Sequence, residues 1–345
     1  MKKSIKIKFI GFQSKNYING LPIKDTWFYK TLEKNYEINE TDDADYVICS
    51  CFDLYKYCSA KQVRIMYSGE NYIPDYNLID YSLCSYPIAF GDRNFFLPAS
   101  LFGYDGERKK IEKRKNCFDN SILKTKPKFA NLIASYDSEG NYRSKLFDVL
   151  SEYKHIDSPG KFKKNCTDEV KFQDNSKILF QKAFKFSLCI ESAVNAGFNT
   201  EKILDAFYAE TIPIYYGDPD IAKIFNPKAF INVADYDTIQ DVVDKIIEID
   251  NNDELYLSML NEPVFHNDRF ITDTFKNAED FIKHIFDQPL ENAYRRSRVY
   301  WPKGHEEFLQ KATKLYELVY RNRFYLKMKA FRRRMKKRSF GYDVD

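Results

Sequence analysis

What most constrains this chain is a switch of hydrophobic period, from short runs of β character to runs of helical character, repeated in both halves of the sequence. In the first half, residues 5–10, 45–50 (DYVICS) and 63–67 (VRIMY) read as strands. In the second half, residues 129–135, FSLCI at the end of 178–190, 211–216 (TIPIYY) and 230–233 alternate with helical patterns at 143–153, 200–208 and 238–249. The last of these helices carries Ile239, Val242, Val243, Ile246 and Ile247 on its inward side. Strands that alternate with helices imply parallel sheets covered on both faces, so the expected class is α/β with two Rossmann-like domains facing a cleft. Ligands of such folds bind at the carboxyl ends of the strands.

A length of 345 residues exceeds the reach of one hydrophobic core, and 44% hydrophobic with 17% aromatic residues is enough to fill two. Residues 105–128 are rich in Lys, Arg, Glu and Asn and close on Pro127, the composition of a linker or solvated excursion. The expected units are therefore 1–125, 126–304 and a helical tail at 305–345. There is no P-loop and no GxGxxG, which removes the main support for P-loop phosphate chemistry and for dinucleotide redox chemistry.

The net charge of +4 conceals an asymmetry: residues 321–338 hold ten Lys/Arg and no acid, while the rest of the chain is mildly acidic. Phe308, Ala312, Leu315, Val319, Phe324, Met328, Phe331 and Met335 recur at helical spacing beside those bases. An anionic membrane surface is the expected partner of this basic amphipathic tail, in preference to solvent alone. Nucleic acid is not expected, because the rest of the chain has no basic-aromatic platform. The seven cysteines include no CxxC pair and the four histidines are isolated, so buried free thiols in a reducing compartment are expected rather than zinc. Asp42, Asp43 and Asp45 precede a strand and read as a solvated turn. Lys6 and Lys8 interrupt the apolar start, which fits a first strand better than a signal peptide, and no run reaches the roughly 20 apolar residues of a membrane span. The expected location is cytoplasmic, peripheral on the inner face of a membrane.

The most informative stretch is 184–235, FKFSLCIESAVNAGFNTEKILDAFYAETIPIYYGDPDIAKIFNPKAFINVAD. A strand ends at Ile190, a small-residue loop contains Gly197, and a helix starts near Asn199 or Thr200, either a good N-cap. Lys202 then falls in the first turn, where a cation opposes the helix dipole unless an anion is nearby. Exposed main-chain N–H groups and that lysine make a diphosphate site; a solvated lysine beside Glu201 accounts for the same residues equally well.

The ordered motif E-S-A…G-F-N-T-E-K…D-A…IPI…G…NP…F-I-N-V resembles the donor-binding motif of the α1,3/4-fucosyltransferases, glycosyltransferase family 10, and its bacterial members in particular. Residues 65–81 (IMYSGENYIPDYNLIDY) are similar to the family's Y-[TS]-G-E-N stretch, and residues 141–160 (NYRSKLFDVLSEYKHIDSPG) to its N-x-x-R-x-x-F…VDSPG stretch. The match covers roughly residues 60–265 in order. It implies a GT-B architecture with an acceptor-side N-terminal domain and a donor-side C-terminal domain. It also implies inverting transfer of L-fucose from GDP-fucose to a hydroxyl of N-acetylglucosamine or glucose in a surface glycan. Glu70 matches the family's catalytic base, Arg143 its pyrophosphate-binding arginine, and Glu201 and Lys202 its acidic and basic donor-contacting pair. Glu191, Ser192, Phe198 and Asn199 complete the expected donor-binding set. Two positions depart from the pattern: Glu191-Ser192-Ala193 stands where the family often has Glu-Asn-Ser, and Phe198 where it usually has Tyr, removing an amide and a phenol near the donor. Asp218 and Asp220 form a D-x-D, but within this match no metal ligand is expected. No obligate cofactor is implied, magnesium or manganese being at most stimulatory. The competing expectations are another nucleotide sugar on the same scaffold, and a non-catalytic glycan- or membrane-binding protein.

Overall fold

The structure is a computed structural model that describes residues 2–12, 17–18, 21–52, 62–102, 117–170, 176–297, 299–320 and 325, 327 and 328. Six strands, β1 (Lys3–Ile10), β2 (Tyr36–Glu40), β3 (Tyr46–Cys49), β4 (Val63–Ser68), β5 (Tyr81–Cys84) and β6 (Asn94–Phe96), form one sheet in the order β2-β1-β3-β4-β5-β6, with every pair parallel. Five more, β7 (Lys128–Leu132), β8 (Ile156–Asp157), β9 (Phe184–Ile190), β10 (Ile212–Tyr216) and β11 (Ile231–Asn232), form a second all-parallel sheet in the order β8-β7-β9-β10-β11. The second order repeats the first without its sixth strand. Each reverses once, between β1 and β3 in the first sheet and between β7 and β9 in the second, and such a reversal opens a crevice at the strands' carboxyl ends.

The middle strands are buried on both faces, as parallel strands must be; all six residues of β4 (VRIMYS) are buried, Arg64 included. Helices α1 (Trp27–Asn35), α2 (Tyr142–Tyr153), α3 (Ser176–Gln181), α4 (Glu201–Tyr208), α5 (Ile239–Asp250) and α6 (Asp253–Leu260) cover the sheets. On α5 the buried positions include Val242, Val243, Ile246 and Ile249, whereas Ile239 and Ile247 are only partly buried. Thr238 and Asp241 close a capping box at its start.

Chain order and spatial order part company after residue 269. Helix α7 (Phe270–Asp287) leaves the second unit and packs on the first sheet: Phe286 lies 4.6 Å from the ring of Tyr46, and Phe281 lies 5.7 Å from that of Phe95. The short α8 (Leu290–Ala293) follows, and Arg295 and Arg296 donate their main-chain N–H groups to Asp80 at the start of β5. A boundary drawn at 126–304 from sequence therefore groups with the second unit a helix whose core is in the first. One continuous apolar cluster runs from Ile5 through Phe102 to Leu204, Phe225 and Phe286.

Helix α9 (Tyr300–Tyr320) docks against the first sheet through an ion pair of Glu306 with Arg64 at 2.6 Å, a contact of His305 with Asp75 at 3.0 Å, and Leu309. Apart from Tyr325, Lys327 and Met328, the basic tail expected beyond it, with Phe324, Phe331 and Met335, lies outside the described residues, as does the first half, 105–116, of the 105–128 stretch. Among the described residues no helix is long and apolar enough to cross a membrane. Asp42 and Asp43 pair with Lys8 and Lys6 at the surface, as a solvated turn requires. Cys49, Cys84 and Cys189 are buried free thiols, whereas Cys117 is exposed and Cys51, just beyond the end of β3, and Cys166 are half-buried.

Candidate active site

A cavity of about 380 Å³ opens at the reversal point of the second sheet. Its walls include Ala134, Ser135 and Tyr136 after β7, Gly160 and Lys161 after β8, Ser192 after β9, Arg143 of α2, Lys177 of α3, and Glu201 and Lys202 of α4. Gly160 is required there: a Cβ would lie 2.2 Å from the carbonyl oxygen of Ala134. The wall carries Arg143, Lys161, Lys177 and Lys202 against Glu201, and with Glu191 and Asp205 paired to Lys202 and Lys177 from behind it keeps a modest positive excess suited to an anion.

Arg143 is 3% exposed. Its Nε and Nη2 donate to the carbonyl of Ile190 at 3.0 and 2.7 Å, and its Nη1 donates to that of Tyr136 at 2.6 Å. A guanidinium has five N–H donors, so this anchoring leaves a second hydrogen on each Nη for a ligand. Burial pulls the Arg143 pKa down and the nearby Glu191 opposes that, but a guanidinium stays charged throughout.

The start of α4 is organised by Glu191. This carboxylate is 1% exposed and accepts hydrogen bonds from Thr200 N at 2.7 Å, from Thr200 Oγ1 at 2.9 Å and from Lys202 Nζ at 2.9 Å. The anion that the first-turn lysine needs is thus supplied within the chain. Burial works against the Lys202 charge, yet Glu191 and Glu201 outweigh it and raise the pKa. Lys177 in turn pairs with Asp205 at 2.8 Å and with Glu201 at 3.4 Å, fixing the Glu201 carboxylate at the cavity wall.

Glu70 approaches from the other sheet, two residues beyond the end of β4. Its side chain is exposed, but the surrounding protein mass raises its pKa, an effect reinforced by Glu201 and opposed by Lys202. Glu70 therefore feels the charges at the start of α4 across the cleft, although it does not line the cavity itself. The two sides touch where Asn195 Nδ2 donates to Asn71 Oδ1 at 3.2 Å, and within the first unit Ser85 Oγ donates to the Glu70 carbonyl at 3.1 Å.

Residues 8–103 match the family model described as the alpha-(1,3)-fucosyltransferase FucT N-terminal domain, and residues 123–286 that described as glycosyltransferase family 10 (fucosyltransferase), C-terminal. The chain belongs to glycosyltransferase family 10. Alpha-(1,3)-fucosyltransferase FucT of Helicobacter pylori is 30% identical to this family 10 chain over 277 residues, 69% of the chain and 56% of the relative. Putative fucosyltransferase R654 of Acanthamoeba polyphaga mimivirus is 32% identical over 194 residues, 53% of the chain and 32% of the relative. The chain thus spans about half the length, or less, of these curated relatives. A solved α1,3-fucosyltransferase superposes with a TM-score of 0.71 at 26% identity, covering 87% of this chain and 93% of that one. The structure of an α1,3-fucosyltransferase with GDP-fucose gives 0.69 at 25%, covering 86% and 94%. The two facing units are the GT-B architecture of these fucosyltransferases.

Within this family 10 site, Arg143, Ser192, Glu201 and Lys202 share the cavity wall, and Glu70 stands across the cleft. Glu191, Phe198 and Asn199 do not line it. They are 1%, 6% and 0% exposed, and they support the wall from behind because the loop turns their side chains inward. Phe198 in place of Tyr is consequently a change in packing. Asp218 is also buried, accepting from Gly197 N, Asp220 N and Asn199 Nδ2, while Asp220 pairs with Lys223, so the D-x-D carboxylates are committed separately. Sequence reasoning missed Lys161 and Lys177. The first adjoins the S-P-G motif and was within reach; the second gave no local signal.

Proposed function

We propose that this protein is an inverting α1,3-fucosyltransferase that moves L-fucose from GDP-fucose to a hydroxyl of N-acetylglucosamine or glucose in a surface glycan. The observation that carries this reading is the cavity where Arg143 and Lys202 converge, with a carboxylate of raised pKa facing them from the other sheet. A family 10 α1,3-fucosyltransferase solved with GDP-fucose, matched over 94% of its length, supports the donor. Arg143 offers its two remaining N–H groups to the diphosphate, and Lys202 adds a point charge as the leaving group gains negative charge. Glu201 accepts hydrogen bonds from sugar hydroxyls. Glu70 takes the acceptor proton while the acceptor oxygen forms its bond to the fucose anomeric carbon and the bond to GDP breaks on the opposite face. Fixed cations meet the diphosphate charge, so no obligate metal enters the scheme. The C-terminal helix rests on an anionic membrane at the cytoplasmic face, a reading supported by Trp301, Phe308 and Leu318 at 89%, 66% and 75% exposure.

Calorimetry with GDP-fucose, GDP-mannose and UDP-sugars tests the donor, and GDP-fucose should saturate first. Arg143→Ala should weaken GDP and GDP-fucose together by about 2–3 kcal/mol, the worth of charge-assisted hydrogen bonds. Unchanged GDP affinity in that variant would remove the diphosphate assignment.

A further inference from the structure

Three buried polar side chains outside the cavity join the two sheets. Ser100 Oγ, in a 3-10 turn of the first unit, donates to Asn199 Oδ1 at 2.7 Å, and Asn199 Nδ2 donates to Asp218 Oδ2 at 2.7 Å. Their exposures are 1%, 0% and 2%. The other oxygen of Asp218 accepts from the main-chain N–H of Gly197 and of Asp220, both at 2.9 Å, and its own N–H donates to the hydroxyl of Tyr215 at 2.9 Å. Asp218 therefore gathers the loop that leads into α4 and, through Asn199, fastens it to the first unit.

The loop is seated where it is fastened. Gly197 has φ +79°, and a Cβ there would lie 2.2 Å from the carbonyl oxygen of Ser85, so the donor-side backbone rests directly on the acceptor side. Ser85 also donates its hydroxyl to the Glu70 carbonyl. From Asp218 through Gly197 and Ser85 to Glu70 the contacts are continuous, and Thr200, Glu201 and Lys202 follow Asn199 directly in the chain.

We propose that the Ser100–Asn199–Asp218 relay holds the start of α4 at a fixed position relative to Glu70, making Asp218 and Asn199 positioning residues for transfer, with no contact to the donor. The inference rests on Glu70 as the base. Because the diphosphate-binding cations all belong to the second unit, disturbing the relay should change the chemical step and leave GDP affinity intact.

A charge swap tests it. Asn199→Asp sets two carboxylates at the 2.7 Å contact. It should lower kcat with a soluble N-acetylglucosamine-containing acceptor by about 100-fold or more, the order expected of a displacement near 1 Å at a reacting centre. The double variant Asn199→Asp/Asp218→Asn restores a donor facing an acceptor and should return kcat to within about tenfold of wild type. Ser100→Ala, which keeps the fold, should cut kcat about tenfold while the GDP Kd stays within about twofold. Hydrogen exchange supplies a readout independent of turnover: in Ser100→Ala, residues 69–71 and 195–200 should lose protection together. A double variant no more active than Asn199→Asp, once its Tm has recovered, would overturn the relay. So would Ser100→Ala with deprotection confined to 195–200. Glu70→Gln, assayed alongside, separates the relay from the base: a fully active Glu70→Gln removes the base assignment without restoring the swap.

Discussion

Glu70 shows how much of a side chain's role is set by charges contributed from elsewhere in the chain. Partial loss of hydration beside the surrounding protein and the Glu201 carboxylate raise the pKa of this exposed side chain, and Lys202 limits the rise. A base works when ionised, so activity should fall as the pH drops through this raised pKa. The acid limb of the kcat/KM profile should therefore lie above about 4.3, the usual glutamate value. Glu70→Gln should lower turnover by roughly 10²–10⁴-fold and abolish that limb, with GDP affinity scarcely changed. Glu201→Gln removes the raising charge and should move the limb to lower pH. A pH–rate series on the three proteins checks both statements, and a Glu70→Gln variant that retained the limb would assign it to another group. Glu191, a buried carboxylate near the site, does not serve as the base, since Thr200 and Lys202 already use its oxygens.

At the scale of elements, the second crossing of the chain is held by a buried cluster. Asp80, at 0% exposure, accepts from the main-chain N–H of Arg64, Arg295 and Arg296 and pairs with the Arg296 guanidinium. Arg64 in turn pairs with Glu306 of α9. Asp80→Ala removes the buried carboxylate shared by the Arg296 guanidinium and three main-chain N–H groups and should destabilise the protein by about 3–5 kcal/mol in urea unfolding. An effect below about 1 kcal/mol would mean that the segment from α7 to α9 is held by its apolar contacts alone. The buried centre of α5, Val242, Val243 and Ile246, was legible because one amphipathic helix packs on one sheet, while Ile249 was missed and Ile239 and Ile247 lie at the margin. The return of α7 was not, because an amphipathic stripe states that a helix has a partner and does not state which sheet it is.

For the whole molecule, the two like-ordered sheets with one shared apolar cluster make a cleft whose sides already touch. The ten basic residues at 321–338 add a charge that the body lacks. Truncation after Tyr320 should abolish salt-sensitive flotation with anionic vesicles and leave turnover of a soluble acceptor within about twofold, since electrostatic attraction to a lipid surface grows with each lysine or arginine. Equal flotation of the two forms would sink the membrane reading.

Sequence alone determined what depends on local periodicity and on residues close in the chain. It specified two runs of parallel βα units, the start of α4 near Thr200, and a cationic and acidic pair in its first turn, but not that the Thr200 hydroxyl donates to Glu191 and leaves the helix without a side-chain cap. With the family motif it also brought Arg143 and Glu70 into view. Tertiary structure decided which of these groups face the cavity and which stand behind it. Glu191, Phe198 and Asn199 lie in or beside the donor loop and Asp218 follows β10, yet all four turn inward. The reason is physical: a loop's backbone donors need buried acceptors, and whether a given carboxylate or amide serves them or the ligand is fixed by partners such as Ser100 and Ser85, about a hundred residues away in the chain.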